Sequence, residues 1–185
     1  VHWLKVYQIP EQGRYAQGSA IVNLLELAEG EKVSAVIAVK SFDPQKYLFM
    51  VTRLGTVKKT SLSEFDNPRK GGIVAIGLDE KDELAQVMLT DGKQQIVIAT
   101  QKGMAIKFDE EDVRSMGRAA SGVRGIKLRS DVVIGATLGS DDQSILTVTE
   151  RGFGKRTKIA EYRKTSRGGV GVINIKITEK NGNVI

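Results

Sequence analysis

The amino-acid sequence predicts an all-β protein, built as a propeller-like array of four-stranded blades. The pattern Thr-x-x-Gly stands between two β-rich runs three times, ending at Gly55, Gly103 and Gly152, which lie 48 and 49 positions apart. A fixed period of this size is typical of propellers and related repeat arrays. The apolar runs have strand length and are bounded by turn-forming residues, so no long helix is expected.

Each Thr-x-x-Gly pattern predicts a tight β-hairpin. Three-residue hairpin loops commonly combine a type I turn with a final residue in the left-handed conformation, where glycine costs least. In the third repeat, strand Ile96–Thr100 turns at Gly103 and returns as Met104–Phe108. Within the polar loop that follows, Asp109–Val113 is expected to form one short turn.

The remainder of each repeat supplies two further strands. In the third repeat the chain re-enters an apolar segment at Gly122–Leu128 and continues through V-V-I-G-A-T-L. The second repeat begins with Tyr47–Thr52 and the fourth with I-L-T-V-T, and both keep this order. Four-stranded units at this spacing are what propeller blades look like.

The first repeat is partial. It shows a strand tail at Val1–Val6, a dense apolar run in Ser19–Leu27 and a second candidate for a buried strand at Val33–Val39, but no opening hairpin. The last repeat lacks its closing strand, so we expect the chain to be an excerpt of a longer circular array. We predict one domain over 1–185, with approximate units 1–40, 47–90, 95–139 and 144–185.

Composition limits the classes of protein. Hydrophobic residues make up 41% and charged residues 27% of the chain, which is typical of a soluble globular domain. No apolar run approaches the 18 or so residues of a membrane span, and Val1–Lys5 lacks the pattern of a signal peptide. Cysteine is absent, which is compatible with a reducing cytosol. We therefore expect a cytoplasmic protein without a membrane partner.

A search for catalytic chemistry finds no candidate. The single histidine, His2, excludes histidine-based metal clusters, and the absence of cysteine excludes thiolate nucleophiles and cysteine-based metal sites within the chain. The acidic clusters lack calcium-loop spacing, and no Walker loop or dinucleotide motif occurs. The four tyrosines are better explained by packing. The sequence thus predicts no catalytic residue, no metal site and no cofactor.

The basic residues recur in phase with the repeats. A cation stands four residues after each landmark glycine, at Lys59, Lys107 and Arg156, and further cations precede or enter the glycine-rich segments. If the units are blades around an axis, residues in phase form a ring of positive charge on the rim, which suits the phosphates of bent duplex DNA. The predicted DNA-binding residues are Arg14, Lys58, Lys59, Arg69, Lys70, Lys107, Arg114, Arg118, Arg124, Lys155, Arg156, Lys158, Arg163, Lys164 and Arg167.

Two alternatives to DNA binding stay open for these charges. The net charge of +6 and the isoelectric point near 9.5 favour a polyanionic partner but do not specify DNA. Charges also keep turns and edge strands soluble. The first alternative is thus that the charges serve solubility alone. The second, from another functional class, is a propeller-type scaffold whose basic rim binds an acidic protein.

Several stretches of the sequence resemble one known family. The stretches are V-Y-Q-I-P-E, I-V-N-L-L-E-L, G-T-V-K-K-T-S-L-S-E-F, V-R-G-I-K-L and G-K-R-T-K-I-A-E-Y. They closely resemble the C-terminal domain of bacterial DNA gyrase A, and the resemblance covers essentially the whole chain. The paralogous C-terminal domain of topoisomerase IV shares the repeat but is less similar in these stretches.

The resemblance implies a six-bladed β-pinwheel, of which this chain would hold parts of about four blades. It implies that the disc wraps duplex DNA around its basic rim and thereby supports ATP-dependent negative supercoiling. The implied partners are the rest of gyrase A and the gyrase B protein in an A2B2 holoenzyme, associated with the bacterial nucleoid. The nucleotide site and the DNA-cleaving tyrosine would lie outside this chain.

One family motif differs from this sequence. The gyrase-A box reads Gln-Arg/Lys-Arg-Gly-Gly-Arg/Lys-Gly and belongs to the first blade of the family. The most similar stretch here, Thr165–Gly171, keeps Arg167 and three glycines but lacks the Gln and two cations. We interpret it as the equivalent loop of a later blade and expect the box before Val1.

Overall fold

The protein is built from small antiparallel sheets, as a computed structural model describes it over residues 1–67, 69 and 71–185. Two four-stranded sheets and one two-stranded sheet follow one another along the chain. Within the described residues the only helical segments are short 3₁₀ turns, one of them at Glu110–Asp112, inside the stretch predicted to form a turn. The predicted fold class, an all-β propeller-like array, is confirmed.

Ten strands make up the sheets. They are β1 (Tyr47–Thr52), β2 (Thr56–Ser61), β3 (Leu84–Thr90), β4 (Gln95–Thr100), β5 (Met104–Asp109), β6 (Val123–Arg124), β7 (Val133–Gly139), β8 (Ser144–Val148), β9 (Gly154–Lys158) and β10 (Val172–Ile173). The strand order is β3-β1-β2-β6 in the first sheet, called blade A here, and β10-β5-β4-β7 in the second, called blade B. The remaining sheet is the hairpin β8-β9.

Each blade takes its outer strand from the following unit. β6 belongs to the third unit but pairs with β2 of the second, with Val57 opposite Val123. In the same way β10 of the fourth unit pairs with β5 of the third, with Ala105 opposite Val172. The blades are therefore linked by exchanged strands, and no blade is complete without residues of its neighbour.

The hairpin turns form as the repeated pattern predicts. The amide of Gly55 donates to the carbonyl of Thr52 at 3.1 Å, and Gly103 repeats this bond with Thr100 at 3.0 Å. The landmark glycines have φ between +77° and +87°, the left-handed region in which other residues are strained. This backbone conformation explains why glycine recurs at this position.

The largest core cluster spans both blades. Phe49 and Val51 of β1 are fully buried with Ile98 of β4 and Phe108 of β5, and the rings of Phe49 and Phe108 lie 6.5 Å apart. A second cluster packs Leu48, Met50, Leu62 and Phe65 on the opposite face of blade A. Both faces of blade A are thus covered, which decides the position of the lysines on β2.

The strands predicted in the first unit do not form. Residues 1–46, all of them described, have 3₁₀ turns at Val6–Gln8 and Ile21–Asn23 and no strand. In blades A and B the equivalent segments pair with a hairpin of the preceding unit or of their own unit. Among the described residues, no hairpin strand pairs with the apolar segments of the first unit. Ile37 and Val39 instead pack, half-buried, against the second core cluster.

Candidate nucleic-acid interface

Basic and acidic residues are segregated along the chain. Four segments, 12–25, 67–78, 113–130 and 162–178, contain 12 of the 28 basic residues and none of the 22 acidic residues. We call them the acid-free segments. Each follows the second hairpin strand of its unit or holds the corresponding position, and each includes the glycine-rich re-entry. The segregation recurs in every unit, so it is a property of the repeat.

Three acid-free segments lie side by side in the structure. The amide of Gly77 donates to the carbonyl of Ala120 at 3.4 Å, which connects 67–78 with 113–130. The amide of Gly168 donates to the carbonyl of Gly125 at 2.6 Å, and the main-chain amide of Lys127 donates to the carbonyl of Gly169 at 2.8 Å. These bonds connect 113–130 with 162–178. The result is a continuous basic band across successive units, which we call the rim.

Glycine allows the rim to lie close to the strands beneath it. Gly122 has φ +100°, and a Cβ added there would lie 2.6 Å from the carbonyl oxygen of Val57. Gly171 has φ +81° at the same position of the next unit, against the backbone of β5. Both conditions exclude a side chain. These glycines therefore hold the rim segments against β2 and β5.

One arginine occupies the same place in consecutive units. Arg118 and Arg167 both lie four residues before the positive-φ glycines Gly122 and Gly171, and both are half-buried. The Nε of Arg167 donates to the main-chain carbonyl of Asp112 at 2.9 Å, and its Nη1 donates to the main-chain carbonyl of Arg124 at 3.1 Å. Each bond joins the fourth unit to the third. Arg167 is therefore part of the structure of the rim as well as a source of its charge.

Other predicted cations of the rim face solvent. Arg114, Arg124 and Arg163 are exposed. Lys164 is also exposed, but its Nζ lies 2.8 Å from Oδ2 of Asp109. The hydrogen bond to Asp109 raises the pKa of Lys164 above its usual value. This lysine thus stays charged while it is paired with a carboxylate that a phosphate would have to displace.

Three of the predicted DNA-binding residues, Lys58, Lys59 and Lys107, are buried rather than exposed on the rim. The Nζ of Lys59 donates to the carbonyl of Glu110 at 3.2 Å. The Nζ of Lys107 donates to the carbonyl of Ile159 at 2.9 Å and lies 3.0 Å from Oδ1 of Asp141. Their ammonium groups join adjacent units from inside, so they are not available to an external phosphate.

The three predicted cations of β9 are exposed for a local reason. Lys155, Arg156 and Lys158 all face solvent. Arg156 stands at the position of Lys59 and Lys107, which the 3₁₀ turn of the next unit and the residues just after it cover. Among the described residues, no such turn of a following unit covers the hairpin β8-β9. The positions of Lys155 and Arg156 are buried in the other units, so we leave these two residues and the nearby Lys158 out of the rim.

The last predicted residues lie outside the contiguous band or at its end. Arg14 is exposed, and its guanidinium stacks on the ring of Tyr15 and bonds the phenol oxygen. The hydrogen bonds that join the three rim segments do not include its segment. Arg69 is exposed at the start of the rim. Lys70, also predicted, lies outside the described residues.

Sequence reasoning missed exposed cations of the rim. Lys127 and Lys176 each stand five residues after a positive-φ glycine, Gly122 and Gly171, and both are exposed. Arg129 is exposed in the same acid-free segment as Lys127. The sequence signal that identifies all three is that the segments around them contain no acidic residue.

The rim can neutralise a polyanion but has little means of reading bases. Its described cations are Arg69, Arg114, Arg118, Arg124, Lys127, Arg129, Arg163, Lys164, Arg167 and Lys176. Arginine and lysine on surface loops contact phosphates, whereas sequence readout usually needs an element that enters a groove.

Within the described part of the chain, no helix has the length and apolarity to cross a membrane.

The fold and the rim together define a class, the propeller-type β-repeat proteins with a cationic circumference. Comparison with known proteins then identifies the family. A family model described as "DNA gyrase C-terminal domain, beta-propeller" matches residues 3–40, 46–91, 94–137 and 143–185. The chain belongs to this family of DNA gyrase C-terminal domains.

Individual relatives agree with the family. The DNA gyrase A protein of Haloquadratum walsbyi is 50% identical over 100% of this chain, and the match covers 22% of that protein. For the DNA gyrase A protein of Salmonella typhimurium the identity is 46%, again over 100% of this chain and 21% of the relative. The chain thus spans about a fifth of the length of these curated relatives.

Two solved structures share the fold. The C-terminal domain of a DNA topoisomerase IV superposes with a TM-score of 0.84 at 33% identity, covering 91% of this chain and 53% of that one. A DNA gyrase A C-terminal domain superposes with a TM-score of 0.83 at 25% identity, covering 98% of this chain and 59% of that one. Both superpositions confirm the propeller-type fold.

Proposed function

We propose that this chain binds duplex DNA through the phosphate backbone and wraps it along the rim, without sequence specificity. The observation that carries the proposal is the rim itself, three contiguous segments rich in exposed cations and free of acidic residues. Phosphate contacts by Lys and Arg supply affinity that does not depend on base sequence. A band of such contacts that spans successive units can hold DNA that bends to follow it.

We further propose that the chain acts as part of a gyrase A protein. In this role it supports ATP-dependent negative supercoiling together with gyrase B in an A2B2 assembly on the bacterial chromosome in the cytoplasm. The support is the match to gyrase A proteins over the whole chain at 50% and 46% identity. The chain itself would be non-catalytic and need no cofactor. The C-terminal domain of topoisomerase IV is the less supported alternative, and the observation on its side is the superposition on that domain.

The test of DNA binding is the dependence of affinity on salt. Each phosphate contact contributes a slope of about −0.9 to a plot of log affinity against log salt, so four contacts give about −3.6. We expect affinities for two unrelated duplexes of equal length to agree, with the same slope. A complex that is insensitive to salt, or no complex at low salt, would contradict DNA binding and favour the protein-scaffold alternative.

A second measurement separates wrapping from simple binding. Relaxed DNA circles are nicked, incubated with the chain, closed by ligase and then freed of protein. Because wrapping traps a crossing, we expect the linking number to shift in proportion to the amount of bound protein. Undiminished affinity with an unchanged linking number would contradict wrapping and leave only binding.

A further inference from the structure

The structure assigns a role to Lys58 that rests on the proposed DNA binding. We propose that Lys58 is a positioning residue, which holds the rim loop 117–121 so that the guanidinium of Arg118 is free for a phosphate. The residue lies beneath the loop and does not contact DNA itself. The proposal thus assigns the DNA contact to Arg118 and its placement to Lys58.

The contacts of Lys58 join two adjacent rim segments. Its side chain is fully buried, and its Nζ donates to the carbonyl of Ala75 at 2.7 Å and to the carbonyl of Arg118 at 2.5 Å. Ala75 belongs to the re-entry of the second unit, and Arg118 belongs to the loop of the third. Burial removes water from the Lys58 ammonium and lowers its pKa. The two carbonyls replace the hydrogen bonds that water would otherwise make with it.

Little else connects this loop with the second unit. An open cleft of about 470 Å³ lies between the loop and Ile73 and Val74. The amide of Met116, just before the loop, donates to the carbonyl of Lys59 at 2.8 Å, whereas the bond to the loop itself, from the amide of Gly77 to the carbonyl of Ala120, is long at 3.4 Å. With a cleft in place of packed side chains, the bond from Lys58 is one of the two described hydrogen bonds that join residues 117–121 themselves to the second unit.

The next junction performs the same task differently. There the position of Lys58 is taken by Ile106, and the position of Arg118 by Arg167. Arg167 fixes its own loop, with Nε and Nη1 donating to main-chain carbonyls of the third unit. For Arg118, none of the described hydrogen bonds uses the guanidinium. Lys58 therefore takes over the anchoring and leaves all the guanidinium donors of Arg118 available.

The comparison also shows that the fold tolerates an apolar residue in place of Lys58. Ile106 is buried, with 1% of its surface exposed, in β5, which holds the place in blade B that β2 holds in blade A. Lys58→Met is therefore a suitable variant, because methionine is unbranched and fills a similar volume. Thermal unfolding of the full chain checks that the variant folds, and Lys58→Gln replaces it if it does not.

A double-mutant cycle on the full chain tests the proposal, with duplex affinity measured against salt. Arg118→Ala removes one phosphate contact, which is worth roughly eightfold in affinity at 0.1 M salt relative to 1 M. We expect Lys58→Met to lose most of this factor, and the double variant to lose no more than Arg118→Ala alone. In the matched control, Lys58→Met with Lys176→Ala, the losses multiply because Lys176 lies in another unit.

A structural readout accompanies the cycle. In the absence of DNA, Lys58→Met should accelerate amide hydrogen exchange within 117–121 and leave exchange within 166–171 unchanged. Multiplying losses in Lys58→Met with Arg118→Ala, or unchanged exchange in 117–121, would overturn the role of Lys58 while DNA binding stands. Failure of the unaltered chain to bind duplex at low salt would overturn the proposed function itself.

Discussion

At the scale of single residues, the same side chain has two functions in this protein. Lys107 lies inside, where its Nζ donates to the carbonyl of Ile159, while Lys127 lies on the rim in solvent. The carbonyl partners of the buried lysines are up to 60 positions away along the chain. No local pattern around a strand lysine reveals such a partner, so sequence alone assigned these lysines to the surface.

Substitution of these two lysines should separate stability from DNA binding. Lys107→Met leaves the carbonyl of Ile159 without its donor, so we expect the free energy of unfolding to fall by about 1–3 kcal/mol. Its salt slope should not change. Lys127→Met removes an exposed charge, so the slope should become shallower by about 0.9 while stability stays within about 0.5 kcal/mol. Urea denaturation and salt titration measure both quantities, and a shallower slope for Lys107→Met would return it to the interface.

At the scale of strands and turns, local features were predictable and exchanged pairing was not. The hairpins follow from the Thr-x-x-Gly pattern, because a turn of three residues is determined by its own sequence. By contrast, β6 and β10 are two residues long and pair with strands of a preceding unit. The predicted strands before residue 47 failed for the same reason. Their apolar residues were identified, but none of the described strands pairs with them.

The turn glycines offer a test of this exchanged packing. Gly103 and Gly152 have similar φ, +80° and +77°, so alanine brings about 1–2 kcal/mol of backbone strain at either. At Gly103 a Cβ would also collide with the carbonyl of Ile175 from the next unit, whereas Gly152 has open space. We expect Gly103→Ala to be the more destabilising by at least about 1 kcal/mol in urea denaturation. Equal losses would show that Ile175 does not press on this turn.

At the scale of the whole molecule, the distribution of charge matters more than its sum. The net charge of +6 is moderate, but the acid-free segments concentrate cations where consecutive units touch. The phased repeat of these segments was visible in the sequence. That these segments contact one another could be seen only in the structure, because the contacts are hydrogen bonds between distant parts of the chain, such as that from the amide of Gly168 to the carbonyl of Gly125. A polyanion that follows the rim therefore passes from unit to unit along acid-free segments, and Asp109 is the one carboxylate that forms a described ion pair with a rim cation, Lys164.

Two double variants of equal charge distinguish the rim from net charge. Lys127→Glu with Lys176→Glu and Lys102→Glu with Lys180→Glu each lower the formal net charge from +6 to +2. All four lysines are exposed, but only the first pair lies in acid-free segments. We expect the rim pair to make the salt slope shallower by about 1.8, the contribution of two phosphate contacts, and to weaken binding at 0.1 M salt by roughly 60-fold or more. The control pair should keep the slope and lose only a few-fold, since charges that contact no phosphate act on DNA only through attraction that salt screens. Equal losses in the two variants would mean that binding follows total charge, and the rim would then have no special role.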